Sequence, residues 1–321
     1  MGNPLISVII PNYNYARYLP ERIESVLGQT FQDFEVIILD DCSTDNSREV
    51  IERYSSNPKI ARIIFNEKNS GSPFVQWDKG LTAARGKYAW IAEADDLAEP
   101  TFLERLVKAI NADSDVVVAC SLSYIIDENG VITDKTGFDT FDSARSIEVY
   151  NGVDYIRHKM FVGNGVYNAS MALFSIEAWR NMSSRRYRKM RYCGDWLFWV
   201  ELMRQGSIAV VREKLNMFRK HGSSVSDEGL VNVNSLIEIL TIQNLLLAIP
   251  AVNSFDRRFM FKYKYLRDND GKLSPQELRK SGLNPSLYPV YWTYKHLFRW
   301  TRRLSKDDSS VKLVAKQTIN Y

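Results

Sequence analysis

The sequence of 321 residues predicts an α/β fold with a mostly parallel central sheet flanked by helices. The first observation is an alternation of short apolar runs, typical of buried parallel strands, with longer segments of helical periodicity. The strands are expected at residues 5–10, 34–39, 61–65 and 88–92, and the helices at residues 19–29, 48–54 and 75–85. The second observation is the run DDCSTDNS at residues 40–47, which offers several N-cap residues directly before a helix.

The third observation is that the strands end in polar and acidic residues. The acidic residues are Asp40 and Asp41 after the second strand, and Glu93, Asp95 and Asp96 after the fourth. Ligands of such sheets bind beyond the carboxyl ends of the strands, so these side chains and the PNYN segment at residues 11–14 are expected at one crevice. Mg²⁺ and Mn²⁺ prefer carboxylates and substrate phosphates, which favours a metal–diphosphate site. A solvated acidic turn, and turn capping by Asp40, are the alternatives.

Four linked segments resemble family 2 glycosyltransferases. They read SVIIPNYNY at residues 7–15, SVLGQTFQDFE at 25–35, DDCSTDNS at 40–47 and EADD at 93–96. The resemblance covers roughly residues 5–225 and implies a GT-A (Rossmann-like) fold and an inverting sugar transfer. It implies a catalytic domain at residues 1–228, divided into a nucleotide-sugar-binding half (1–110) and an acceptor and catalytic half (111–228). A mainly helical extension is expected at residues 229–321.

The same resemblance assigns the nucleotide end of the site. Tyr13 is similar to the residue that stacks on the base, in a loop shaped by Pro11 and continued by Asn14. Asp41 resembles the carboxylate that accepts a hydrogen bond from the base. Uracil and thymine both carry an N3–H donor, so a UDP-sugar is favoured, with a dTDP-sugar as the second choice. A packed loop aromatic is the alternative for Tyr13.

The resemblance also implies a divalent cofactor, Mn²⁺ or Mg²⁺. Asp96 is similar to the direct metal ligand, and Asp95 to the residue that contacts the ribose or the metal. His221 lies in a segment that resembles Y-R-x-H-x-x-S-x-S, where the histidine approaches the metal or the diphosphate. Arg219 of that segment is expected to pair with phosphate or with the Asp-bearing loop. Imidazole ligation would favour Mn²⁺, and an ordinary hydrogen-bonded histidine is the alternative.

Two positions depart from the family pattern. Glu93 replaces the commoner Asp and is expected to reach the metal through water, or to bind a neighbouring Lys or Arg. The segment Gln76-Trp77-Asp78 replaces the family's A-R-N-x-G, which removes an arginine that faces the diphosphate. Lys79 is expected to supply part of the missing charge, unless it is a solvated helix lysine.

Catalysis requires a general base near the acceptor hydroxyl. By the match of GDWLFW at residues 194–199 to a family block, Asp195 is expected to be this base, with N-capping of its helix as the alternative. Gly163 and Asn164 lie in a glycine-flanked turn, and with Trp196 they are the candidate acceptor contacts. A tight turn without function is the alternative for that loop, and acceptor recognition is expected within residues 121–160.

The composition predicts where in the cell the enzyme acts. Three cysteines without metal-ligand spacing indicate reduced thiols, and no signal peptide or apolar stretch of about 18 residues is visible, so a cytoplasmic protein is expected. Residues 255–321 carry 15 Lys and Arg against 6 Asp and Glu, interleaved with aromatic residues. Residues 255–306 are therefore predicted to contact an anionic membrane surface. A helical hairpin packed on the catalytic domain is the alternative, and no motif predicts nucleic-acid binding.

The most consistent interpretation is an inverting, metal-dependent glycosyltransferase that acts on a glycan or a lipid-linked acceptor in surface-polysaccharide assembly. A nucleotidyltransferase that makes sugar nucleotides is an alternative, but residues 11–17 lack its glycine-rich basic loop. A non-enzymatic relative that binds sugar nucleotides or glycans is the other alternative, because of the departures at Glu93, Gln76 and Trp77.

Overall fold

The computed structural model describes residues 2–134, 146–161, 163–221, 233–252, 261–263, 265–267, 272–280, 282–304 and 313–320. Within these residues, an 11-stranded sheet forms the centre of the molecule. Its strands are β1 (Ile6–Asn12), β2 (Phe34–Asp40), β3 (Ile60–Phe65), β4 (Tyr88–Ile91), β5 (Leu97–Ala98), β6 (Val116–Ile126), β7 (Ile132–Asp134), β8 (Ser146–Asn151), β9 (Ala172–Ser175), β10 (Ser207–Arg219) and β11 (Gln317–Asn320).

Helices cover both faces of this sheet. They are α1 (Leu19–Leu27), α2 (Ser47–Glu52), α3 (Pro73–Ala83), α4 (Phe102–Ile110), α5 (Gly152–Tyr155), α6 (Ile176–Arg180), α7 (Gly194–Met203), α8 (Val233–Leu247), α9 (Pro275–Lys280) and α10 (Tyr288–Leu304). A π-helical turn, Ile156–Met160, continues α5, and 3₁₀ turns occur at Ala169–Met171, Arg186–Lys189 and Pro285–Leu287. The predicted α/β fold, with a central sheet flanked by helices, is confirmed.

The direction of the strands divides the sheet into two parts. The order is β11-β8-β10-β6-β9-β4-β1-β2-β3, with β5 beside β10 and β7 beside β6. Strands β4, β1, β2 and β3 are parallel, as the alternation of strands and helices predicts. The β10–β6 pair is also parallel, but the β9, β8 and β11 pairings are antiparallel. The sheet as a whole is therefore mixed, and its parallel character is strongest in the N-terminal half.

Alternate residues of the strands build two separate cores. Ile9 of β1 belongs to a core with residues of α3 and α7, whereas Val8 and Ile10 face a second core with residues of α1 and α4. This alternation is the period of two of a strand covered on both faces. Helix α3 approaches β1 closely at Gly80, where a Cβ atom would lie 2.4 Å from Ile9 Cγ2. The glycine thus sets the distance between α3 and the sheet.

Described residues after position 228 pack against the same core, and the last described strand joins the sheet. Leu240 and Leu246 of α8 lie in the same core as α3 and α7, together with Phe261 and Tyr265. Strand β11 pairs antiparallel with β8 and forms the edge of the sheet. Among the described residues, no helix combines the length and the apolar character that crossing a bilayer requires.

Candidate active site

A cavity of about 520 Å³ opens where β1, β2 and β4 end. Register pairing of Asn12 with Asp40 brings the ends of β1 and β2 side by side, and β4 lies on the other side of β1. The predicted site residues that line the cavity are Pro11, Tyr13, Asn14, Asp41, Asp95, Asp96, Asp195 and Arg219. Residues from the first strand and from the second half of the chain therefore meet in one crevice.

The loop after β1 presents an aromatic ring to this cavity. Tyr13 is 45% exposed, so its ring is available to a ligand rather than packed in the loop. Asn14 has a left-handed backbone with φ of 60°, a conformation that asparagine tolerates better than most residues. Its Oδ1 accepts a 2.7 Å hydrogen bond from the backbone N–H of Thr44. Asn14 therefore fixes the loop that carries Tyr13 against the loop after β2.

Asp40 stabilises the neighbouring turn and does not line the cavity. Its carboxylate accepts hydrogen bonds from Asn12 Nδ2 (2.7 Å), from Ser43 Oγ (2.6 Å) and from the Ser43 backbone N–H (3.0 Å). The residue after Asp41, Cys42, has φ of 63°. Asp40 therefore caps the turn, which is the alternative role expected from the sequence. The turn places Asp41 at the cavity.

Asp41 is 4% exposed and accepts hydrogen bonds from three residues. Its Oδ1 accepts from Asn66 Nδ2 (2.6 Å), Gln76 Nε2 (2.8 Å) and the Ser70 backbone N–H (2.9 Å), and its Oδ2 accepts from Ser70 Oγ (2.7 Å). Gln76 stands where relatives carry the A-R-N-x-G segment, so this departure supplies an amide that holds the Asp41 carboxylate. No pattern in the sequence indicates this pairing.

Asp96 is held rigidly at the centre of the site. Only 1% of the residue is exposed. Its Oδ2 accepts from Ser170 Oγ (2.6 Å) and Asn168 Nδ2 (2.8 Å), and its Oδ1 accepts from the Arg219 backbone N–H (2.9 Å). Burial and the charge of Asp95 raise the pKa of Asp96 to about 6. Asn168 and Ser170 follow the glycine-flanked turn for which the sequence predicts acceptor contacts.

Asp95 is paired with His221. The His221 Nε2 atom lies 2.9 Å from Asp95 Oδ2, and the imidazole is packed against the rings of Tyr15 and Tyr18. Asp95 belongs to an acidic cluster with Glu93 and Asp96. His221 does not itself line the cavity, so it acts on this acidic cluster through Asp95. The structure brings the three residues predicted for the metal together, with Asp95 and Asp96 at the cavity wall.

Arg219 binds the Asp-bearing loop from behind. It is 1% exposed, and its Nε donates to the Asp95 backbone carbonyl (2.6 Å). Its Nη1 donates to the Asp127 carbonyl and its Nη2 to Glu21 Oε2, both at 3.0 Å. Of the two roles expected for this arginine, the structure shows the pairing with the loop.

Glu93 has a tryptophan partner instead of the expected Lys or Arg. Trp77 Nε1 donates to Glu93 Oε1 over 2.8 Å, so the two departures from the family pattern contact each other. Burial, followed by the charges of Asp95 and Asp96, raises the pKa of Glu93 to about 8. The indole orients the carboxyl group, and the raised pKa favours its protonated form at neutral pH.

A buried cation lies beneath the acidic cluster, and the sequence pattern does not predict it. Arg22 of α1 is fully buried, and its guanidinium lies 4.8 Å from the centre of the Trp90 ring. Burial lowers the pKa of Arg22 to about 10, while the charges of Asp96, Asp95 and Glu93 act in the opposite direction. In the sequence, Arg22 resembles any solvated residue of an amphipathic helix, so only the packing reveals it.

The donor set of the acidic cluster fits a hard divalent ion. Asp95 and Asp96 offer carboxylate oxygens at the cavity wall. Burial and, after it, repulsion from Asp95 raise the pKa of Asp96, and a bound cation would offset both effects. Within the described parts of the chain, no three Asp, Glu, His or Cys side chains are arranged to hold an ion by themselves. Mg²⁺ and Mn²⁺ in nucleotide sites commonly take their other ligands from phosphates and water.

Asp195 lies across the cavity, in the first turn of α7. Cys193 is the N-cap of this helix, and Asp195 is the second helical residue. Asn164 Nδ2 donates to Asp195 Oδ2 over 2.7 Å. Burial raises the pKa of Asp195 to about 7, although hydrogen bonds from the Trp196 backbone and from Asn164 lower it. A carboxylate with this pKa accepts a proton efficiently near neutral pH.

Four further predicted site residues lie outside the cavity. Lys79 is exposed on α3 and hydrogen-bonds to Asn66 Oδ1. Trp196 is 4% exposed, and its Nε1 donates to the Met160 carbonyl, so its place is in the core rather than against an acceptor.

Gly163 lies in the loop beside Asn164, and a Cβ atom there would meet nothing within 4 Å. Asn164 reaches the site through its bond to Asp195. Part of the segment expected to recognise acceptors, residues 135–145, lies outside the described residues.

The profile of Glycosyl transferase family 2 matches residues 7–216, which contain most of the sheet and most of the cavity residues. The chain belongs to glycosyl transferase family 2. An uncharacterized glycosyltransferase of Haemophilus influenzae is 30% identical over 226 residues, which are 70% of this chain and 68% of that protein. The putative teichuronic acid biosynthesis glycosyltransferase TuaG of Bacillus subtilis is 36% identical over 102 residues, which are 32% of this chain and 40% of TuaG.

Solved structures of other glycosyltransferases share the fold of this glycosyltransferase. TarS residues 1–349 of S. aureus, in complex with UDP-GlcNAc, superpose with a TM-score of 0.65 at 19% identity, over 92% of this chain and 88% of that one. The mannosyltransferase PcManGT of Pyrobaculum calidifontis, in complex with GDP-Man and Mn²⁺, gives a TM-score of 0.57 at 15% identity, over 95% and 88% of the two chains. The GT-A fold predicted from the sequence is thereby confirmed, and the family match confirms the predicted transferase class.

Proposed function

We propose that this glycosyltransferase moves a sugar from a UDP-sugar to a hydroxyl of a glycan or lipid-linked acceptor, with inversion at the anomeric carbon. One observation carries the proposal: a single cavity contains an exposed aromatic ring, an acidic cluster suited to a metal–diphosphate, and a carboxylate with a pKa of about 7. These are the parts that a one-step displacement needs. A dTDP-sugar is the second candidate for the donor.

Tyr13 and Asp41 support recognition of a pyrimidine base. The exposed ring of Tyr13 provides a stacking surface. A carboxylate has about four lone-pair sites, and Asp41 Oδ2 accepts only from the Ser70 backbone N–H and hydroxyl among the described residues. The N3–H of uracil or thymine would therefore find an acceptor at Oδ2, held in place by Asn66 and Gln76.

Asp95 and Asp96 would hold the divalent ion of the donor complex. When bound, such an ion neutralises the charge that develops on the departing diphosphate. The protein fixes Asp96 through Asn168 and Ser170, and it fixes Asp95 through His221. These bonds orient both carboxylates before the donor arrives. Mn²⁺ and Mg²⁺ are both compatible with this donor set.

Asp195 would act as the general base. The acceptor hydroxyl transfers its proton to the Asp195 carboxylate, and its oxygen forms a bond to C1 of the sugar. The bond between C1 and the diphosphate oxygen breaks on the opposite face, and UDP leaves with the electron pair. Asn164 holds the base by its 2.7 Å hydrogen bond, and the helix N-terminus lies beside it.

The relatives support the same class of reaction. TarS was solved with UDP-GlcNAc, PcManGT with GDP-Man and Mn²⁺, and TuaG is named for teichuronic acid biosynthesis. We therefore propose that this enzyme acts in the assembly of a surface polysaccharide. A location at the cytoplasmic side of the cell membrane is a separate proposal, which rests on the reduced thiols that the cysteine pattern of the sequence predicts.

A thermal-shift panel tests the donor and the metal together. UDP-, dTDP-, GDP- and CMP-sugars are compared with and without Mn²⁺, and the panel is repeated on Asp96→Ala. We expect stabilisation by UDP-sugars that requires both Mn²⁺ and Asp96. Asp33→Ala, an exposed carboxylate between α1 and β2, is the matched control. Metal-independent stabilisation, or equal stabilisation by all four donors, would contradict the assignment.

Helix α10 supports contact with an anionic membrane. Its described part exposes Val290 (52%), Trp292 (48%) and Leu297 (59%), within a segment rich in Lys and Arg. Other aromatic residues of the extension, including Phe261 and Tyr291, are buried, as expected if the extension packs on the catalytic domain. We expect cosedimentation with phosphatidylglycerol vesicles that the triple change of Val290, Trp292 and Leu297 to Ser abolishes. Equal binding to phosphatidylcholine vesicles, or none at low salt, would contradict it.

A further inference from the structure

Glu238 of helix α8 contacts the loop that leads to the proposed base. Its Oε1 accepts a 2.7 Å hydrogen bond from the Arg191 backbone N–H. Its Oε2 accepts from the backbone N–H groups of Tyr192 (2.9 Å) and Cys193 (2.8 Å). One carboxylate thus binds three consecutive amides, although 45 residues or more separate it from them in the sequence.

The three amides stand immediately before α7. Cys193 is the N-cap of that helix and makes no side-chain capping bond, so the nearby carboxylate of Glu238 takes over part of the capping. Hydrogen bonds from backbone N–H groups to a carboxylate are charge-assisted and therefore strong. The next residue, Gly194, has no space for a side chain, since a Cβ atom there would lie 2.5 Å from Phe74 and 2.7 Å from the Tyr187 carbonyl. Asp195 follows directly.

A second polar residue of α8, Gln243, binds the segment before Asn164. Gln243 is 3% exposed, and its Nε2 donates to the Phe161 carbonyl over 3.0 Å. Phe161 is three residues before Asn164, the hydrogen-bond donor to Asp195. Helix α8 therefore contacts both segments that position the Asp195 carboxylate, the 191–193 loop through Glu238 and the Asn164 loop through Gln243.

We propose that Glu238 is a positioning residue for catalysis, which makes helix α8 a functional part of the active site. The proposal rests on the assigned role of Asp195 as general base. Glu238 does not line the cavity, so its role is to position other residues. It holds the 191–193 loop, and its negative charge favours the protonated form of Asp195.

The electrostatic surroundings of Asp195 give this role a measurable signature. Burial is the main cause that raises the pKa of Asp195. Hydrogen bonds from the amides at the start of α7 and from Asn164 lower this pKa, and the charge of Glu238 adds to the rise. The neighbouring thiol of Cys193 is itself kept protonated by burial and by the charges of Asp195 and Glu238, which raise its pKa. Removal of the Glu238 charge is therefore expected to shift the titration of Asp195 toward lower pH.

The experiment compares Glu238→Gln with wild type by two measurements. The first is amide hydrogen exchange of residues 191–193, which needs no activity. The second is the pH dependence of kcat for UDP release, with Mn²⁺ and the UDP-sugar that gives the largest thermal shift. We expect faster exchange, a fall in kcat of about ten- to a hundredfold, and an acid limb displaced to lower pH. Glu177→Gln, an exposed carboxylate of α6, is the matched control.

Glu238→Asp separates position from charge. This variant keeps the charge but retracts the carboxylate by one methylene, so exchange should rise while the acid limb stays in place. Unchanged exchange in Glu238→Gln, or a uniform loss of kcat with an unmoved acid limb, would overturn the proposal. If wild type lacks an acid limb or Asp195→Asn keeps its turnover, the base assignment fails instead, and the exchange measurement still decides whether Glu238 holds the loop.

Discussion

Asn164 donates a 2.7 Å hydrogen bond to Asp195 from a loop 31 residues earlier in the chain. The amide oxygen of Asn164 in turn accepts from the Val166 backbone N–H at 3.1 Å, which fixes the orientation of the amide. The loop follows the π-helical turn Ile156–Met160, a rare feature that often occurs at functional sites. The proposed base, Asp195, is thus oriented by a residue that the sequence pattern assigns to acceptor contacts.

Asn164→Ala should weaken catalysis most strongly in mildly acidic solution. The hydrogen bond favours the charged form of Asp195, so its removal raises the pKa of that carboxyl and leaves less base at a given pH. A hydrogen bond to a charged group contributes about 1.5–3 kcal/mol, which corresponds to roughly ten- to a hundredfold in kcat. The measurement is kcat across pH 5.5–9, a range around the Asp195 pKa of about 7. Asn181→Ala, at the exposed end of α6, is the control and should match wild type.

The wild-type rate should rise with pH through about 7 and level off above it. Burial raises the pKa of Asp195 to about 7, and a general base works only when it is deprotonated. The activity is therefore present above this pKa and is lost as the pH falls below it. Asp195→Asn should lower kcat by about 10²–10⁴ at pH 8 and should leave the thermal shift by UDP and Mn²⁺ unchanged. A flat profile between pH 5.5 and 8 would remove Asp195 from the mechanism.

Arg219→Ala should destabilise the fold as well as the donor site. Three donors of this buried guanidinium bind the Asp95 carbonyl, the Asp127 carbonyl and the Glu21 carboxylate. Loss of these hydrogen bonds costs about 1–3 kcal/mol of unfolding free energy, measured by urea denaturation. The ion pair with Glu21 adds little, because the Glu21 carboxylate is exposed. Arg48→Ala, an exposed arginine of α2, is the control. An unchanged unfolding midpoint with a much weaker Kd for UDP would instead indicate that Arg219 binds phosphate.

Gln76→Ala should weaken UDP binding without affecting the metal. Gln76 Nε2 holds Asp41 Oδ1 at 2.8 Å, and its side chain is buried. Loss of this bond frees the Asp41 carboxylate to move away from the uracil ring of UDP. The Kd for UDP should therefore rise by about five- to tenfold, the equivalent of about 1 kcal/mol. Isothermal titration with UDP measures the effect, and Mn²⁺ dependence should remain. Gln32→Ala, an exposed glutamine before β2, serves as the control, and an equal Kd in Gln76→Ala and wild type would refute the role of Gln76.

Much of the nucleotide half is predictable because it is local in the sequence. Buried parallel strands are apolar runs that end at polar turns, so the predicted bounds of β1, β2 and β4 agree with the observed ones to within two residues. Parallel strands place their carboxyl ends at one edge, so the sequence alone assigns the residues after β1, β2 and β4 to one crevice. The later strands are harder to predict, because nothing in a short apolar run records whether its neighbour is parallel or antiparallel.

The tertiary structure alone decided which side chains contact each other in the site. The sequence by itself determined the α/β fold, the family, and the polar residues at the strand ends, since periodicity and linked motifs are properties of neighbouring residues. It did not determine that Trp77 binds Glu93, that Arg22 lies beneath the acidic cluster, or that Glu238 holds the loop before Asp195. Each of these contacts joins segments that are distant in the chain, and each depends on burial, which sets the strength of charges and hydrogen bonds. Pairing and burial are properties of the packed molecule, and they bring polar residues from distant segments to the walls of one cavity.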